Sequence, residues 1–241
     1  MTGAPVPLQN TAAGHDALVR PTLDELAARV LKLTAGRMGD RVIVGIAGVP
    51  GAGKSTLAEK LTTVLAERIG PEQVAHVPMD GFHLADVSLD RLGLRQRKGA
   101  PETFDALGYA ALLKRLRESG DLVYAPGFER TIEQPIAGAI PVSPGARVVV
   151  TEGNYLLLGG DWDRAKEQLD EVWFCRTPED LRLERLLARH VRFGKTPEFA
   201  AQWIEQTDQP NALLIERPVT GPIWWSRWTE PQTEDACQHS C

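Results

Sequence analysis

The chain has 241 residues, the upper end for one α/β domain with appendages, and its 43% hydrophobic content suffices for a sizeable core. A net charge of −5 excludes a surface built to wrap nucleic acid or to lie on an anionic membrane. No stretch approaches the roughly 18 apolar residues of a membrane span, and the opening MTGAPVPLQNTAAGHD lacks a signal peptide's basic and apolar regions, so a cytoplasmic protein is expected.

Residues 1–20 carry no periodicity and read as a flexible arm, residues 21–229 as the folded domain, and residues 230–241 as a flexible polar tail. Folding begins at Thr22-Leu-Asp-Glu25, which has capping-box spacing ahead of a helical stripe of Leu23, Leu26, Ala27, Val30 and Leu31. Arg41 to Ala47 is a short apolar run suited to a buried strand.

That run leads into Gly48 to Thr56, GVPGAGKST, which matches G-x-x-x-x-G-K-[ST]. Such a loop cradles nucleotide phosphates with its backbone N–H groups, here those of Gly51, Ala52, Gly53, Lys54 and Ser55, with Gly48 opening the turn. Lys54 reaches the β- and γ-phosphates, and Ser55 reaches Mg²⁺. Thr56 either contacts the α-phosphate or packs in the helix that follows, where Leu57, Leu61, Val64 and Leu65 make one apolar face.

Val74 to Met79 reads as a second strand ending on Asp80, the position for a base that orients an acceptor hydroxyl, or else for a simple turn cap. His83 stands three residues on and is either a substrate contact or structural. From Asp80 to Arg147 turn formers and charge prevail, RQRKGAPETFD and then YAPGFERTIEQP, and apart from a helix over Ala106 to Ser119 the segment reads as long functional loops. Arg147 to Thr151 and Glu171 to Cys175 are further strands. Glu152 follows the first of them, the placement of an acid that faces the metal.

Thr177-Pro-Glu-Asp180 is expected to start a helix, with Pro178 at its first position. Arg182, Arg185 and Arg189 share one face of it, with Arg192 and Lys195 beyond. That face is either solvated or part of a lid over about residues 177–205; a phosphate site in an acidic protein favours the lid. Cys175 is expected to be buried and inert. The tail with Cys237, His239 and Cys241 is read as holding no metal, and Trp224, Trp225 and Trp228 as packing residues rather than a stacking platform for bases.

Strands separated by helices imply an α/β fold, a P-loop NTPase three-layer sandwich with a mostly parallel sheet and a helical, arginine-bearing lid. Taken together, the P-loop, DGFH, KGAPETFD, TEGNYLLL and RLERLLARHVRFGK resemble the phosphoribulokinase, uridine kinase and bacterial pantothenate kinase superfamily, within it the fructose-transport-system kinase-like branch. The resemblance spans Val42 to Glu216. It implies that Asp80 is the base, that Glu152 sits near metal and substrate, and that Arg185 and Arg189 belong to the lid. It also implies that Asp105 and Arg130 line the acceptor pocket, with Tyr155 of TEGNYLLL on the substrate side. The chain departs from the pattern after Glu216, where it reads RPVTGPIWWSRW.

The function these features point to is ATP- and Mg²⁺-dependent transfer of a phosphoryl group to a hydroxyl of a small polar metabolite, such as a sugar, a nucleoside or a pantothenate-like compound. No nucleic acid or membrane partner is expected, and a homodimer is compatible. A regulatory P-loop NTPase is the alternative. The chain lacks the N-K-x-D guanine signature and an LSGGQ-type segment.

Overall fold

The computed structural model describes residues 21–35, 37, 41–216 and 224–226. Helix α1 (Leu23–Ala35) opens on the expected capping box: Thr22 Oγ1 accepts from Glu25 N at 3.2 Å while Glu25 Oε2 accepts from Thr22 N at 2.7 Å. Such a cap contributes about 1 kcal/mol. Strand β1 (Val42–Ala47) is buried along its whole length, as an apolar run covered on both faces must be.

The sheet is parallel, in the order β2 (Val74–His76), β5 (Val148–Gly153), β1, β6 (Glu171–Cys175), β7 (Trp224–Ser226). Every link between neighbours is therefore a crossover. Helix α2 (Lys54–Ile69) packs with α1, and α4 (Ala106–Glu118) packs with the short α5 (Asp163–Lys166). The register sets the site, because Ile46 lies beside Glu152 and Ala47 beside Gly153. The acid at the end of β5 thus stands next to the loop that leaves β1.

Four expectations change here. Strand β2 stops at His76, and Asp80 lies in a 3₁₀ turn, Met79–Phe82; Glu152 is inside β5 rather than after it. The stretch read as loop contains helix α3 (Asp86–Leu92) and an antiparallel hairpin, β3 (Val123–Glu129) with β4 (Gln134–Val142). Most of β4 is exposed and it contains two prolines, so no buried-exposed alternation marked it as a strand. Thr177 does not cap α6 (Glu179–Arg192): Pro178 occupies the N-cap, and Thr177 Oγ1 instead donates to Ala52 O at 2.8 Å.

Beyond α6 come α7 (Pro197–Trp203), a π-helical turn (Ile204–Asp208) and α8 (Gln209–Ile215). The backbone of Trp224 and Trp225 forms β7, so the unusual RPVTGPIWWSRW segment supplies the last parallel strand. Residues 1–20, Trp228 and the tail with Cys237, His239 and Cys241 lie outside the described residues. No described helix is long and apolar enough to cross a membrane.

Candidate active site

The phosphate loop is tied down from two directions. A Cβ on Gly48 would stand 2.6 Å from Cys175 O, so only glycine lets the loop leave β1 this close to the end of β6. Ala52 O accepts from Cys175 Sγ at 3.0 Å as well as from Thr177. Gly53 caps α2 in a left-handed conformation, and the helix starts at Lys54, which aims its unpaired first-turn N–H groups at the loop. Lys54 is only 7% exposed, and its Nζ donates to Val49 O at 3.0 Å. Burial lowers its pKa, while Glu152, Cys175 and Asp80 work in the opposite direction. Thr56 sits half-buried in the first turn of α2.

Next to the ammonium, Ser55 Oγ donates to Glu152 Oε1 at 2.9 Å. Glu152 is 4% exposed, and burial raises its pKa; Asp80 adds to the rise, and Lys54 with the Ser55 hydroxyl opposes it. Among the described residues no group of three His, Cys, Asp or Glu could hold a metal alone. One hydroxyl and one carboxylate fit a hard cation that takes most of its oxygens from phosphates and water.

Asp80 reaches this cluster because Gly81 allows the turn to press on the hairpin, where a Cβ would meet Pro126 O at 2.2 Å. That contact brings the end of β3 alongside, and Arg130 Nη2 donates to Asp80 Oδ2 at 3.1 Å. Burial works against the Asp80 charge, but His83, Arg130, Lys54 and Arg189 outweigh it and hold the carboxyl below its ordinary value. His83 Nδ1 lies 2.8 Å from Asp80 O, and its ring packs on Phe104 and Phe128 at 3.9 and 4.6 Å between centroids. Burial pulls the His83 pKa down against the pull of Asp80, so its ring is neutral at pH 7. At that pH the charges of Arg130 and Lys54 keep Asp80 ionised.

A cavity of about 440 Å³ opens on Lys54, Ser55, Asp80, Glu152, Arg130 and Arg189 together. Arg189 faces it from α6. Arg185 lies where its charge acts on Cys175, beside the phosphate loop. Arg182, placed on the same face by its spacing, is instead buried: Nη1 reaches Pro50 O at 3.4 Å and Nη2 bonds Gln209 Oε1.

Two expected pocket residues are elsewhere. Asp105 is the N-cap of α4, its Oδ1 accepting from Gly108 N at 2.8 Å. Tyr155 is buried behind the cavity, its hydroxyl bonded to Gly99 O and its ring packed on Phe104 and Trp162. The cavity also holds residues that the spacing did not single out, among them Asp86, Lys98, His190, Asp208 and Asn211. Lys98 was visible only as part of KGAPETFD, and no local pattern marked Asp208 and Asn211.

Fold and site define a P-loop kinase: parallel sheet, phosphate loop, a carboxylate beside the loop serine, and a second carboxylate at the mouth of a cavity. A Schizosaccharomyces pombe protein provisionally named a uridine kinase, C227.14, is 35% identical over 207 residues, 83% of this chain and 87% of its own length. A solved structure from Silicibacter sp. TM1040, provisionally named a fructose transport system kinase, is 36% identical and superposes with a TM-score of 0.78, covering 87% of this chain and all of that one. A pantothenate kinase of Clavibacter sepedonicus is 32% identical over 53% of this chain and 39% of its own. The profile of a family described as methylmalonyl Co-A mutase-associated GTPase MeaB matches residues 17–98, about a third of the chain. That third carries the phosphate loop. The chain belongs to the P-loop kinases of the uridine kinase and pantothenate kinase superfamily, the ATP-dependent kinases of small molecules.

Proposed function

We propose that this kinase transfers the γ-phosphoryl group of ATP to a hydroxyl of a small polar metabolite, with Asp80 as the base. The observation that carries the proposal is the Asp80–Arg130 contact at the mouth of the cavity, beside Lys54 and the Ser55–Glu152 pair. The backbone of Gly51 to Ser55 and the Lys54 ammonium bind the phosphates. When bound, Mg²⁺ supplies charge neutralisation across them, and Ser55 and Glu152 are the residues that would hold it.

Arg130 orients the Asp80 carboxylate through Oδ2, which leaves Oδ1 to take the proton of the acceptor hydroxyl as its oxygen attacks the γ-phosphorus and the bond to the β–γ bridging oxygen breaks, releasing ADP. Arg189, together with Arg185, meets the negative charge of the transferring group from the lid, residues 177–205, and closure of that lid excludes water. His83 shapes the acceptor side by fixing the Asp80 turn. Every group named comes from one chain. ATP and a small metabolite are met together in the cytoplasm, where we place the reaction.

A coupled assay of ADP release with Mg²⁺, ATP and a panel of sugars, nucleosides, pantothenate and glycerate tests this. Asp80→Asn should lower acceptor-dependent turnover by about 10²- to 10⁴-fold with ATP affinity kept within a few-fold. Loss of ATP binding with turnover intact at saturation would assign Asp80 to the nucleotide instead. A regulatory NTPase, the other reading of a P-loop, would release ADP without any small acceptor; the kinase-named relatives weigh against it.

A further inference from the structure

The cations around the cavity fall into two sets. Those on the acceptor side are already paired with carboxylates: Lys98 Nζ with Asp86 at 2.7 Å, Arg95 with Asp86 at 2.8 Å and Asp90 at 3.6 Å, Arg130 with Asp80 at 3.1 Å. The cations that line the cavity without a carboxylate partner among the described residues are Lys54, Arg189 and Lys195, the last placed 5.2 Å over the Trp203 ring. Lys54 comes from the phosphate loop, Arg189 and Lys195 from the lid. An acceptor with a carboxylate or phosphate would find no open cation on its own wall, and would face Asp86, Glu133 and Asp208.

The same wall carries buried polar groups of another kind. The π-turn between α7 and α8 widens the helix by one residue and places Asp208 on the cavity, with Asn211 one turn further. Each is only 7% exposed. His190 of the lid helix holds Asp208 Oδ2 at 2.8 Å, and Asn211 Nδ2 makes one long contact, 3.4 Å, to Gly99 O. Among the described residues Asp208 Oδ1 and Asn211 Oδ1 have no hydrogen-bond partner, and both residues line the cavity. Two acceptor oxygens on adjacent turns, at a wall without open cations, are complementary to neighbouring hydroxyl donors. Phe128 supplies an apolar face for the carbon skeleton.

We propose that Asp208 and Asn211 are the specificity-determining residues for the acceptor, binding adjacent hydroxyls of a neutral polyhydroxylated compound, a free sugar or the ribose of a nucleoside, in preference to an anionic acceptor. This rests on the kinase reading above.

The test uses matched pairs in the ADP-release assay: hexoses and pentoses against their aldonates and phosphates, uridine against its 5′-phosphate, pantothenol against pantothenate, glycerol against glycerate. The neutral member of a productive pair should be preferred, and stimulation by free sugars or by nucleosides identifies the source of the hydroxyls. Asp208→Asn and, separately, Asn211→Ala should raise KM for that acceptor about 10- to 100-fold with KM for ATP nearly unchanged, the range for losing a hydrogen bond at a buried polar site. Preference for the charged members, or variants that alter KM for ATP and leave the acceptor's alone, would overturn the assignment while the kinase reading stands. Stimulation by neither member of any pair would overturn the kinase reading and the assignment with it.

Discussion

Arg130 donates to the Asp80 carboxylate at 3.1 Å across 50 residues of chain, joining the tip of the β3–β4 hairpin to the turn after β2. The base and the acceptor-side hairpin are therefore one unit. Arg130→Ala should lower turnover at pH 7 about tenfold or more, as expected for losing a charged hydrogen bond. It should also shift the acid limb of the pH–rate profile. Arg130 favours ionised Asp80, so removing it raises the carboxyl pKa and moves that limb to higher pH. A profile recorded from pH 4 to pH 8 checks the direction.

Lys54→Ala and Ser55→Ala remove, respectively, a contact to the charge that moves and a ligand for its counterion. Each should lower phosphoryl transfer by at least about 10²-fold. Stopped-flow or coupled turnover at saturating ATP measures it, and near wild-type rates in both would end the case for the phosphate loop.

Arg189 lines the cavity and Arg185 stands beside the loop. Replacing both with alanine should depress acceptor-dependent ADP release by about 10³-fold, the lower range for an arginine that shields a transferring phosphoryl, with ATP affinity changed only a few-fold. Calorimetric ATP binding beside steady-state turnover separates these effects.

Among the described residues His76 Nε2 is buried without a hydrogen-bond partner, and burial pulls the ring pKa down to about 4. The unfolded chain takes up this proton near pH 6.5, whereas the folded protein resists it until about pH 4. Stability associated with this group is whole above pH 6.5 and is lost as pH falls toward 4, up to about 3 kcal/mol. Urea unfolding of the wild type and His76→Leu at pH 7.5 and pH 4.5 should show a smaller acid loss in the variant.

The phosphate loop, β1, α2 and α4 were legible in the sequence because each rests on local chemistry: a glycine pattern, an apolar run, a 3.6-residue stripe. Glu152 and Asp80 were legible as acids close to strand ends in a parallel sheet. What escaped depends on distant chain. Arg182 has the spacing of a lid arginine, yet α8 brings Gln209 against it and buries it. Asp105 sits in a suggestive motif, but Gly108 is close enough for Asp105 to cap its own helix. The hairpin hides because β4 is mostly exposed, and Asp208 depends on a π-turn that shifts the helical phase by one residue.

The most direct test of phosphoryl transfer follows the phosphorus itself. ³¹P NMR of the enzyme with Mg²⁺, ATP and neutral sugars and nucleosides should show a phosphomonoester resonance growing with that of ADP, absent with Asp80→Asn. Inorganic phosphate as the only product with every small acceptor, released faster when a macromolecule is added, would contradict the account.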